Sequence, residues 1–264
     1  MKKIFITGAS SGIGLALAQQ YAHANADLVL GLVGRKPAIL QQLAAELASN
    51  SNVRCAIYAL DVRDRAALNE AANDFIHRFG APNIVIASAG VSRGTLTEHQ
   101  ADIPAFQAIM DINVMGMVHT FSPFIPAMQQ SKAVPTQLVG IASVAGIRGL
   151  PGAGAYSASK AAVITYLESL RVEMQAYNIA VTTIAPGYIR TPMTAINAYQ
   201  MPFLMEADVF AKQCIACIEK QKRFVVIPWQ MGWLAKLLRF IPPRLWDWLM
   251  RKAPQKERID WDWL

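Results

Sequence analysis

The sequence predicts an α/β fold, a doubly wound parallel sheet of seven strands with a C-terminal amphipathic helical extension. Three observations support this prediction. Short apolar runs alternate with longer helical patterns, as in parallel sheets that helices cover on both faces. Glycine, serine, aspartate or proline follows six of the runs, which indicates ligand-binding loops at the carboxyl ends of the strands. All six tryptophans lie between Trp229 and Trp263, beyond the last run.

Each predicted strand is a short apolar run, and each predicted helix is a longer segment with apolar residues at helical spacing. In chain order, the strands are Lys3–Thr7, Leu28–Val33, Val53–Leu60, Ile84–Ala87, Gln137–Ala142, Ala180–Ala185 and Phe224–Ile227. The helices are Gly12–Ala24, Pro37–Ser49, Arg65–Phe79, Phe106–Gln130, Ala155–Tyr177 and Ala207–Gln221. No linker interrupts this alternation, so we expect one domain over residues 1–228 and the extension over residues 229–264.

The composition suits a folded domain and restricts its partners. Hydrophobic residues make up 53% and charged residues 16%, which suggests that a subunit, a lipid or a ligand covers some apolar surface. The net charge is +7, and Lys212–Leu264 holds 11 basic and 5 acidic residues. We expect no nucleic-acid binding, because these charges alternate with large aliphatic residues and no nucleic-acid motif occurs.

The cysteines predict neither a disulfide framework nor a metal site. Cys214 and Cys217 form a C-x-x-C pattern, but the four histidines are scattered, so a zinc site would lack further ligands. We interpret both thiols as small apolar residues on a helix in a reducing, cytoplasmic compartment. The start of the chain has no signal-peptide apolar core, and no apolar run of about 18 residues occurs.

The loop after the first strand, TGASSGIG, has the spacing of a phosphate-binding turn. Gly8 would permit the tight turn, Gly12 the approach of the backbone to a phosphate, and Gly14 close packing of the helix on the strand. The free N–H groups and the dipole of the helix N-terminus would then hold a pyrophosphate. The strand–loop–helix context favours dinucleotide binding over a merely tight turn.

The residue after the second strand favours NADP over NAD as the cofactor. An NAD site is expected to place an acidic residue there, on the ribose 2′-hydroxyl, but the chain has Arg35. Its planar guanidinium could pair with the 2′-phosphate of NADP. The alternative is a solvated arginine that opens the next helix.

The chemical centre is predicted around Tyr156 and Lys160, which are four residues apart in a helical pattern and share a face. The pKa of free tyrosine is about 10, and a nearby ammonium is expected to lower it. Tyr156 could then exchange a proton with a substrate oxygen near neutral pH. Ser143 ends the fifth strand, and its hydroxyl can donate to a carbonyl or accept from an alcohol.

Together, these motifs resemble the short-chain dehydrogenase/reductase family from Lys3 to about Pro228. TGASSGIG is similar to the family's cofactor loop, the pair Asp61-Val62 to its adenine-contacting pair, and Ser88–Gly90 to its Asn-Ala-Gly motif. PGYIRTP, which follows the sixth strand, is similar to its nicotinamide-side loop. Ser88 is a departure, because the family usually has an asparagine there that helps to brace the central sheet.

The resemblance implies a Rossmann-type domain that moves a hydride between the nicotinamide of NAD(P) and a carbonyl or alcohol carbon. Tyr156 would move the proton while Ser143 orients the oxygen. Lys160 would bind the nicotinamide ribose and tune Tyr156, and Asn113 would hold a water that links Lys160 to solvent. The implied cofactor-binding residues are Gly8, Ser10, Ser11, Gly12, Ile13, Gly14, Arg35, Asp61, Val62, Ala89, Gly90, Tyr156, Lys160, Pro186, Gly187, Ile189 and Thr191.

Two alternatives to this reductase or dehydrogenase remain at the level of sequence. One is a non-catalytic sensor or scaffold that binds NAD(P) on the same fold, although such a protein would not need Asn113, Ser143, Tyr156 and Lys160 together. The other is a dehydratase or epimerase-like relative, which usually lacks the full set. We also expect a homo-oligomer, either a dimer or a tetramer.

The segment after PGYIRTP is expected to shape a substrate pocket. Its large apolar residues suggest an adaptable wall that would suit lipophilic ketones, acyl chains or steroid-like molecules better than sugars. They are Met193, Met201, Phe203, Leu204 and Met205. The alternative is that they pack on the core.

The extension is predicted to form two short amphipathic helices separated by Pro242-Pro243. In the first, Lys236 and Arg239 share a face, opposite Trp233, Leu234, Leu237, Leu238 and Ile241. In the second, Arg244, Asp247, Arg251 and Lys252 oppose Leu245, Trp246, Leu249 and Met250. This pattern is typical of peripheral membrane helices, but it also fits a lid, a subunit contact or a tail packed on its own domain.

Overall fold

Seven strands form one parallel sheet in a computed structural model that describes residues 1–25, 27–49, 52–131, 135–197, 199–253, 256–258 and 261. The strands are β1 (Lys2–Thr7), β2 (Leu28–Gly34), β3 (Val53–Ala59), β4 (Ile84–Ala87), β5 (Thr136–Ile141), β6 (Ile179–Pro186) and β7 (Phe224–Ile227). Their order is β3-β2-β1-β4-β5-β6-β7. All seven predicted strands are confirmed, each end to within one residue.

The switch point of the sheet lies at β1. Thr7, the last residue of β1, is level with Val33 on β2 and with Ala87 on β4, so the chain winds outward from β1 in both directions. Loops that leave neighbouring strands in opposite directions open a crevice at their carboxyl ends. The glycine loop predicted from the sequence starts at this crevice.

Eleven α-helices lie within the described residues and cover the sheet or follow it. They are α1 (Gly12–Ala24), α2 (Pro37–Ala48), α3 (Arg65–Phe79), α4 (Ile103–Met110), α5 (Gly116–Phe121), α6 (Ile125–Gln130), α7 (Gly154–Glu173), α8 (Pro192–Ala195), α9 (Ala207–Glu219), α10 (Trp229–Phe240) and α11 (Pro243–Met250). Cys214 and Cys217 lie on α9, as predicted, and Cys214 is fully buried.

The single helix predicted over Phe106–Gln130 is wrong. The structure has α4, then a π-helical turn at Asp111–Met115, then α5 and, after a short break, α6. Proline lies in the first turn of α6, where its fixed φ and missing N–H favour a new helix start over a continued helix. The π turn contains Asn113, and such turns occur often at functional sites.

Two apolar cores pack on the two faces of the sheet. Along β1, Ile4 and Ile6 point to one core and Phe5 to the other, as the two-residue period of a strand requires. Phe5 packs against the rings of Phe75 and Phe124, with centroids 5.5 and 4.6 Å away. Burial on both faces stabilises the sheet and holds the strand ends in fixed positions.

The extension folds into the two predicted helices, but it presents different faces from those expected. Met231 and Ala235 of α10 are buried, while Trp233 and Leu237, predicted to share the apolar face, are exposed on the side that carries Lys236. In α10 the apolar surface is wider than the area the domain can cover, so only part of it is buried. Within the described residues, no helix combines the length and apolar character needed to cross a membrane.

In α11, Trp246 lies on the domain and Leu249 points outward, although the sequence predicted one shared face for them. The ring of Trp246 stacks on the guanidinium of Arg148, with 4.6 Å between the guanidinium carbon and the ring centroid. Such a cation–π contact fixes the inner face of α11. Arg148 also donates to the carbonyl of Arg239 at 3.3 Å, which joins α10 to the same point of the domain.

The end of the chain returns to the loop after β4. The Gly94 N–H donates to the Glu257 carbonyl over 2.9 Å. Arg258 donates two hydrogen bonds to the Asp102 carboxylate, at 2.8 and 3.2 Å. A Cβ on Gly94 would lie 2.1 Å from the Lys256 carbonyl oxygen, so this contact requires glycine.

Candidate active site

The glycine loop between β1 and α1 is closely packed. Gly8 and Gly12 have positive φ angles of 73° and 56°, which favour glycine because a side chain is strained there. A Cβ on Gly14 would lie 2.3 Å from the Gly8 carbonyl oxygen, and one on Gly8 would lie 2.8 Å from the Ala89 backbone. The three glycines therefore bring α1 against the ends of β1 and β4.

The start of α1 is suited to an anion. Ser11 occupies the N-cap position with an extended backbone, and its side chain makes no capping hydrogen bond. The first N–H groups of a helix lack intrahelical partners and carry the positive end of the helix dipole. Since Gly12 keeps side-chain atoms away from these groups, the loop can cradle a pyrophosphate.

One cleft brings together most of the residues predicted to bind cofactor. Its lining includes the glycine loop, the end of β4, the end of β5, the start of α7 and the loop after β6. The predicted residues among its lining are Gly8, Ser11, Gly12, Ile13, Gly14, Ala89, Gly90, Ser143, Tyr156, Lys160, Pro186, Gly187, Ile189 and Thr191. Ser10, Arg35, Asp61, Val62 and Asn113 lie outside this lining.

Ser10, Arg35 and Asp61 occupy the neighbouring edge of the sheet. A Cβ on Gly34 would lie 2.9 Å from the Ser10 hydroxyl, so Ser10 stands against the end of β2. Arg35 follows β2 and is exposed. Burial raises the pKa of Asp61, but hydrogen bonds from Arg63 and the charge of Arg35 bring this pKa below its usual value. Asp61 and the exposed Arg35 thus follow β3 and β2 at the carboxyl edge of the sheet, within range of each other's charge.

The sequence analysis missed Arg63 as the partner of Asp61. Its guanidinium donates to both carboxylate oxygens, at 3.1 and 2.9 Å. This bidentate geometry holds the carboxylate in one orientation. The DVRD stretch contains both residues two positions apart, so the signal was present in the sequence.

Tyr156 and Lys160 lie in the first two turns of α7. The ammonium nitrogen of Lys160 lies 5.8 Å from the centroid of the Tyr156 ring and donates to the Ile141 carbonyl at 2.9 Å. Ile141 ends β5, two residues before Ser143. Three of the four predicted catalytic side chains, Ser143, Tyr156 and Lys160, therefore converge where β5 meets α7.

The pKa values in this cluster differ from the expectation in one respect. Burial raises the pKa of Tyr156 above its usual value, and a hydrogen bond with the Ser143 side chain offsets only part of this rise; the predicted lowering by Lys160 is not seen. Burial lowers the pKa of Lys160 itself to about 8. The ammonium lies over the ring and binds a carbonyl, so Ser143, and not Lys160, is the group that favours the phenolate here.

Asn113 is fully buried, and its side chain braces the site. Its amide oxygen accepts from Val91 N–H at 2.8 Å, and its amide nitrogen donates to the Val91 carbonyl at 3.0 Å and to the Ser159 hydroxyl at 2.9 Å. Ser159 in turn donates to the Tyr156 carbonyl at 2.8 Å. The side chain thus ties the loop after β4 to α7, a role that the sequence did not reveal.

Although Ser88 stands where the family usually has asparagine, a hydrogen bond still joins the central strands β1 and β4. The neighbouring Ala89 N–H donates to the Thr7 hydroxyl across β1 and β4, over a long 3.4 Å. Thr7 is fully buried, so its hydroxyl supplies part of the bracing that the family's asparagine would provide.

The loop after β6 closes the cleft opposite α7. Thr191 precedes α8, and its methyl group would lie 3.4 Å from a Cβ on Gly12. The hydroxyl of Thr194 accepts from the Thr191 N–H and donates to the Ile189 carbonyl, at 3.0 and 2.6 Å. These bonds fix the loop after β6, and the Thr191 side chain of this loop lies beside Gly12.

The predicted apolar wall is only partly at the cleft. Met193 lines the cleft, but Phe203, Leu204 and Met205 line a separate surface depression next to α10. The sequence did not predict a role for Tyr199. Burial, then the contact with Tyr188 and last the charge of Tyr156 raise the pKa of Tyr199 to about 12.

Tyr188 completes this aromatic side of the site. Its ring meets that of Tyr199 edge to face, with centroids 6.2 Å apart. Burial raises the pKa of Tyr188, while a hydrogen bond with Tyr199 lowers it. PGYIRTP contains Tyr188, so its position beside the cleft was accessible from the motif, whereas that of Tyr199 was not.

Residues 2–201 match the profile of a protein family described as "short chain dehydrogenase". The chain belongs to the short-chain dehydrogenase/reductase family. An uncharacterized oxidoreductase of Myxococcus xanthus is 35% identical over 247 residues, which cover 94% of this chain and 95% of that protein. Family membership confirms the predicted α/β fold and an NAD(P)-dependent oxidoreductase.

Two solved structures share the fold over nearly the whole chain. A short-chain dehydrogenase from Sphingobium yanoikuyae in complex with NADPH is 24% identical, with a TM-score of 0.78 over 98% of this chain and 99% of the other. A short-chain dehydrogenase/reductase from Burkholderia phymatum in complex with NAD is 22% identical, with a TM-score of 0.78 over 98% of each chain. At this identity, the likeness concerns the fold.

Proposed function

We propose that the protein is an NADP-dependent oxidoreductase that interconverts a carbonyl and an alcohol on a lipophilic substrate, with Tyr156 as general acid and base. The observation that carries this proposal is the convergence of Ser143, Tyr156 and Lys160 in the cleft that the glycine loop opens. When bound, the nicotinamide cofactor supplies or accepts the hydride at the substrate carbon.

The side chains of Ser143, Tyr156 and Lys160 have separate roles in the reaction. In reduction, Ser143 donates a hydrogen bond to the carbonyl oxygen and Tyr156 gives that oxygen its proton. The hydrogen bond with Ser143 favours the phenolate that remains. Lys160, still largely protonated at neutral pH with a pKa of about 8, would bind the nicotinamide ribose. Oxidation of the alcohol reverses each step, with the phenolate as the base.

Replacement of Tyr156 by phenylalanine tests this assignment. Loss of a general acid costs about 10²- to 10⁴-fold in rate, so we expect kcat to fall by that factor while NADPH still binds. Tyr166→Phe is the matched control, because Tyr166 lies on the same helix and outside the cleft lining. Wild-type turnover by Tyr156→Phe would exclude the mechanism and favour the non-catalytic sensor or scaffold.

The preference for NADP rests on Arg35. An exposed arginine that directly follows Gly34, the residue that Ser10 approaches, suits a 2′-phosphate. A charge-assisted hydrogen bond contributes about 1.5–3 kcal/mol, so Arg35→Ala should weaken NADPH binding about 10- to 100-fold and leave NADH binding nearly unchanged. Arg54→Ala, an exposed arginine level with the start of β2, is the control. Equal losses for the two cofactors would contradict the preference.

The lipophilic substrate is supported by Met193, which lines the cleft, and by the aromatic pair of Tyr188 and Tyr199, since Tyr188 lies between the cleft residues Gly187 and Ile189. A panel of carbonyl compounds, followed by NADPH oxidation, tests it. We expect kcat/KM to rise with the apolar area of the carbonyl compound, and faster turnover of sugars would contradict the proposal. The homo-oligomer and the cytoplasmic location stay predictions, to be tested by light scattering and by cell fractionation.

A further inference from the structure

An apolar surface covers the outer side of the C-terminal helices. Seven large apolar side chains are exposed there, within 21 residues of sequence. They are Trp229, Trp233, Leu237, Phe240, Leu245, Trp248 and Leu249. We call this set the outer tryptophan face.

The face on α10 is continuous. Trp229, Trp233, Leu237 and Phe240 are spaced by four, four and three residues, and this spacing puts them on one side of a helix. Trp233 is 68% exposed and Phe240 is 84% exposed. Met231 and Ala235 on the opposite side are buried, so α10 is held to the domain by one apolar side while a second remains in solvent.

In α11, the same division recurs. Leu245, Trp248 and Leu249 point outward, whereas Trp246 and Met250 face the domain. Arg148 anchors both helices, through its stacking on Trp246 and its hydrogen bond to Arg239. Both outward sides therefore belong to one fixed helical unit.

The charged residues around the outer tryptophan face indicate which kind of partner it can bind. Between Trp229 and Lys252 the chain carries five basic residues, Lys236, Arg239, Arg244, Arg251 and Lys252, and one acidic residue, Asp247. All six are exposed. The ammonium of Lys236 lies 5.3 Å from the Trp233 ring centroid, and Arg239 lines one surface depression together with Trp229 and Trp233, so apolar and cationic groups alternate along α10.

A second copy of this chain would fit this face poorly. An isologous contact places the same patch on both subunits, so it would bring two basic faces together and each would repel the other. A layer of anionic headgroups over acyl chains instead complements both features, because tryptophan prefers the membrane interface and lysine and arginine attract anionic lipids.

We propose that the outer tryptophan face docks the protein on an anionic lipid surface, with α10 and α11 lying in the plane of the interface. The inner side of α10 touches the active site, because a Cβ on Gly187 would lie 2.8 Å from the Met231 side chain. Docking would therefore place the cleft loop after β6 one helix away from the lipid. The docking itself does not depend on the proposed chemistry.

Vesicle co-sedimentation of the full chain tests the proposal. We expect binding to phosphatidylcholine vesicles that contain about 30% phosphatidylserine, weaker binding at high salt, and at least tenfold weaker binding to pure phosphatidylcholine. All six tryptophans lie in the extension, so a blue shift of tryptophan emission on binding would report its burial directly.

The variant W233S/F240S should reduce binding at least tenfold, since both side chains are largely exposed and contribute little to folding. The matched control is I103S/V172S, which removes two exposed apolar side chains from other helices. Turnover of a water-soluble carbonyl compound should be unchanged in both variants. Loss of membrane docking can then be distinguished from loss of enzymatic activity.

Three outcomes would overturn the proposal. The first is no binding to anionic vesicles, and the second is equal binding to neutral and anionic vesicles. The third is self-association of the free protein that W233S/F240S abolishes, without vesicle binding by the wild type, which would assign the face to a second copy of this chain.

Discussion

Asp102 holds the end of the chain on the loop after β4. Its replacement by asparagine gives a quantitative test of the structure. The carboxylate is only 2% exposed. It accepts hydrogen bonds from Arg258 at 2.8 and 3.2 Å, from Arg93 at 3.2 Å and from the Leu96 N–H at 2.9 Å. Asparagine keeps one acceptor oxygen but loses the charge and turns a donor toward an arginine.

The expected loss of stability can be worked out from these contacts. Breaking a buried ion pair costs about 3–5 kcal/mol. Asp102 is surrounded by arginine side chains and not by the apolar core, and the side chain of Arg258 is 36% exposed. Solvent screening therefore reduces the cost of breaking this ion pair. We expect Asp102→Asn to lower the free energy of unfolding by about 2 kcal/mol, or Tm by about 4–8 °C.

Urea unfolding and calorimetry as a function of pH would measure this loss. Burial raises the pKa of Asp102, but hydrogen bonds from Arg258 and Leu96 and the charges of both arginines bring it below its usual value. The carboxylate therefore stabilises the fold above the unfolded-state pKa of about 3.9, and this contribution is lost as pH falls through the lowered value.

The difference between wild type and Asp102→Asn should thus be constant from pH 7 to about 5 and close at lower pH. Asp64→Asn is the control, because Asp64 caps α3 from an exposed position and asparagine caps equally well. No difference at pH 7, or a difference that widens in acid, would refute the assignment of Asp102 as the charged partner of Arg258.

Three further predictions concern the loops and the cleft. Gly14→Ala should abolish NADPH binding in a fluorescence titration, because its Cβ would lie 2.3 Å from the Gly8 carbonyl oxygen; unchanged affinity would contradict the loop geometry. Gly94→Ala should release the end of the chain, since its Cβ would lie 2.1 Å from the Lys256 carbonyl oxygen, and limited proteolysis should then cleave near Glu257 much faster than in wild type. Burial lowers the pKa of Lys160 to about 8, so the unfolded state keeps this proton to higher pH and the free energy of unfolding should rise with pH above about 8. Burial lowers the pKa of Lys256 to about 8 as well, so urea unfolding should show a smaller rise in Lys160→Met than in wild type; equal rises would contradict the burial of the Lys160 ammonium.

The sequence was sufficient to predict the sheet and most of the residues that line the cleft. The strand boundaries follow from short apolar runs, which depend only on neighbouring residues. The glycine loop and the spacing of Tyr156 and Lys160 are also local patterns, and the structure places them in one cleft. The helix predicted over Phe106–Gln130 failed because periodicity does not reveal a π turn or a restart at proline.

Contacts distant in sequence were outside the reach of such patterns. Asn113 holds Val91 and Ser159, and Asp102 meets Arg258, which lies 156 positions later in the chain. The pKa of Lys160 likewise depends on burial by residues from other elements. None of these features has a signature in residue spacing.

The C-terminal extension also has features that the sequence predicted and others that only the structure shows. The sequence by itself determined that two basic, tryptophan-rich helices follow the last strand, because composition and the proline pair are local properties. Only the tertiary structure decided which side of each helix packs on the domain and which side remains exposed. The physical reason is that an apolar helix surface is buried only where another surface is available to cover it.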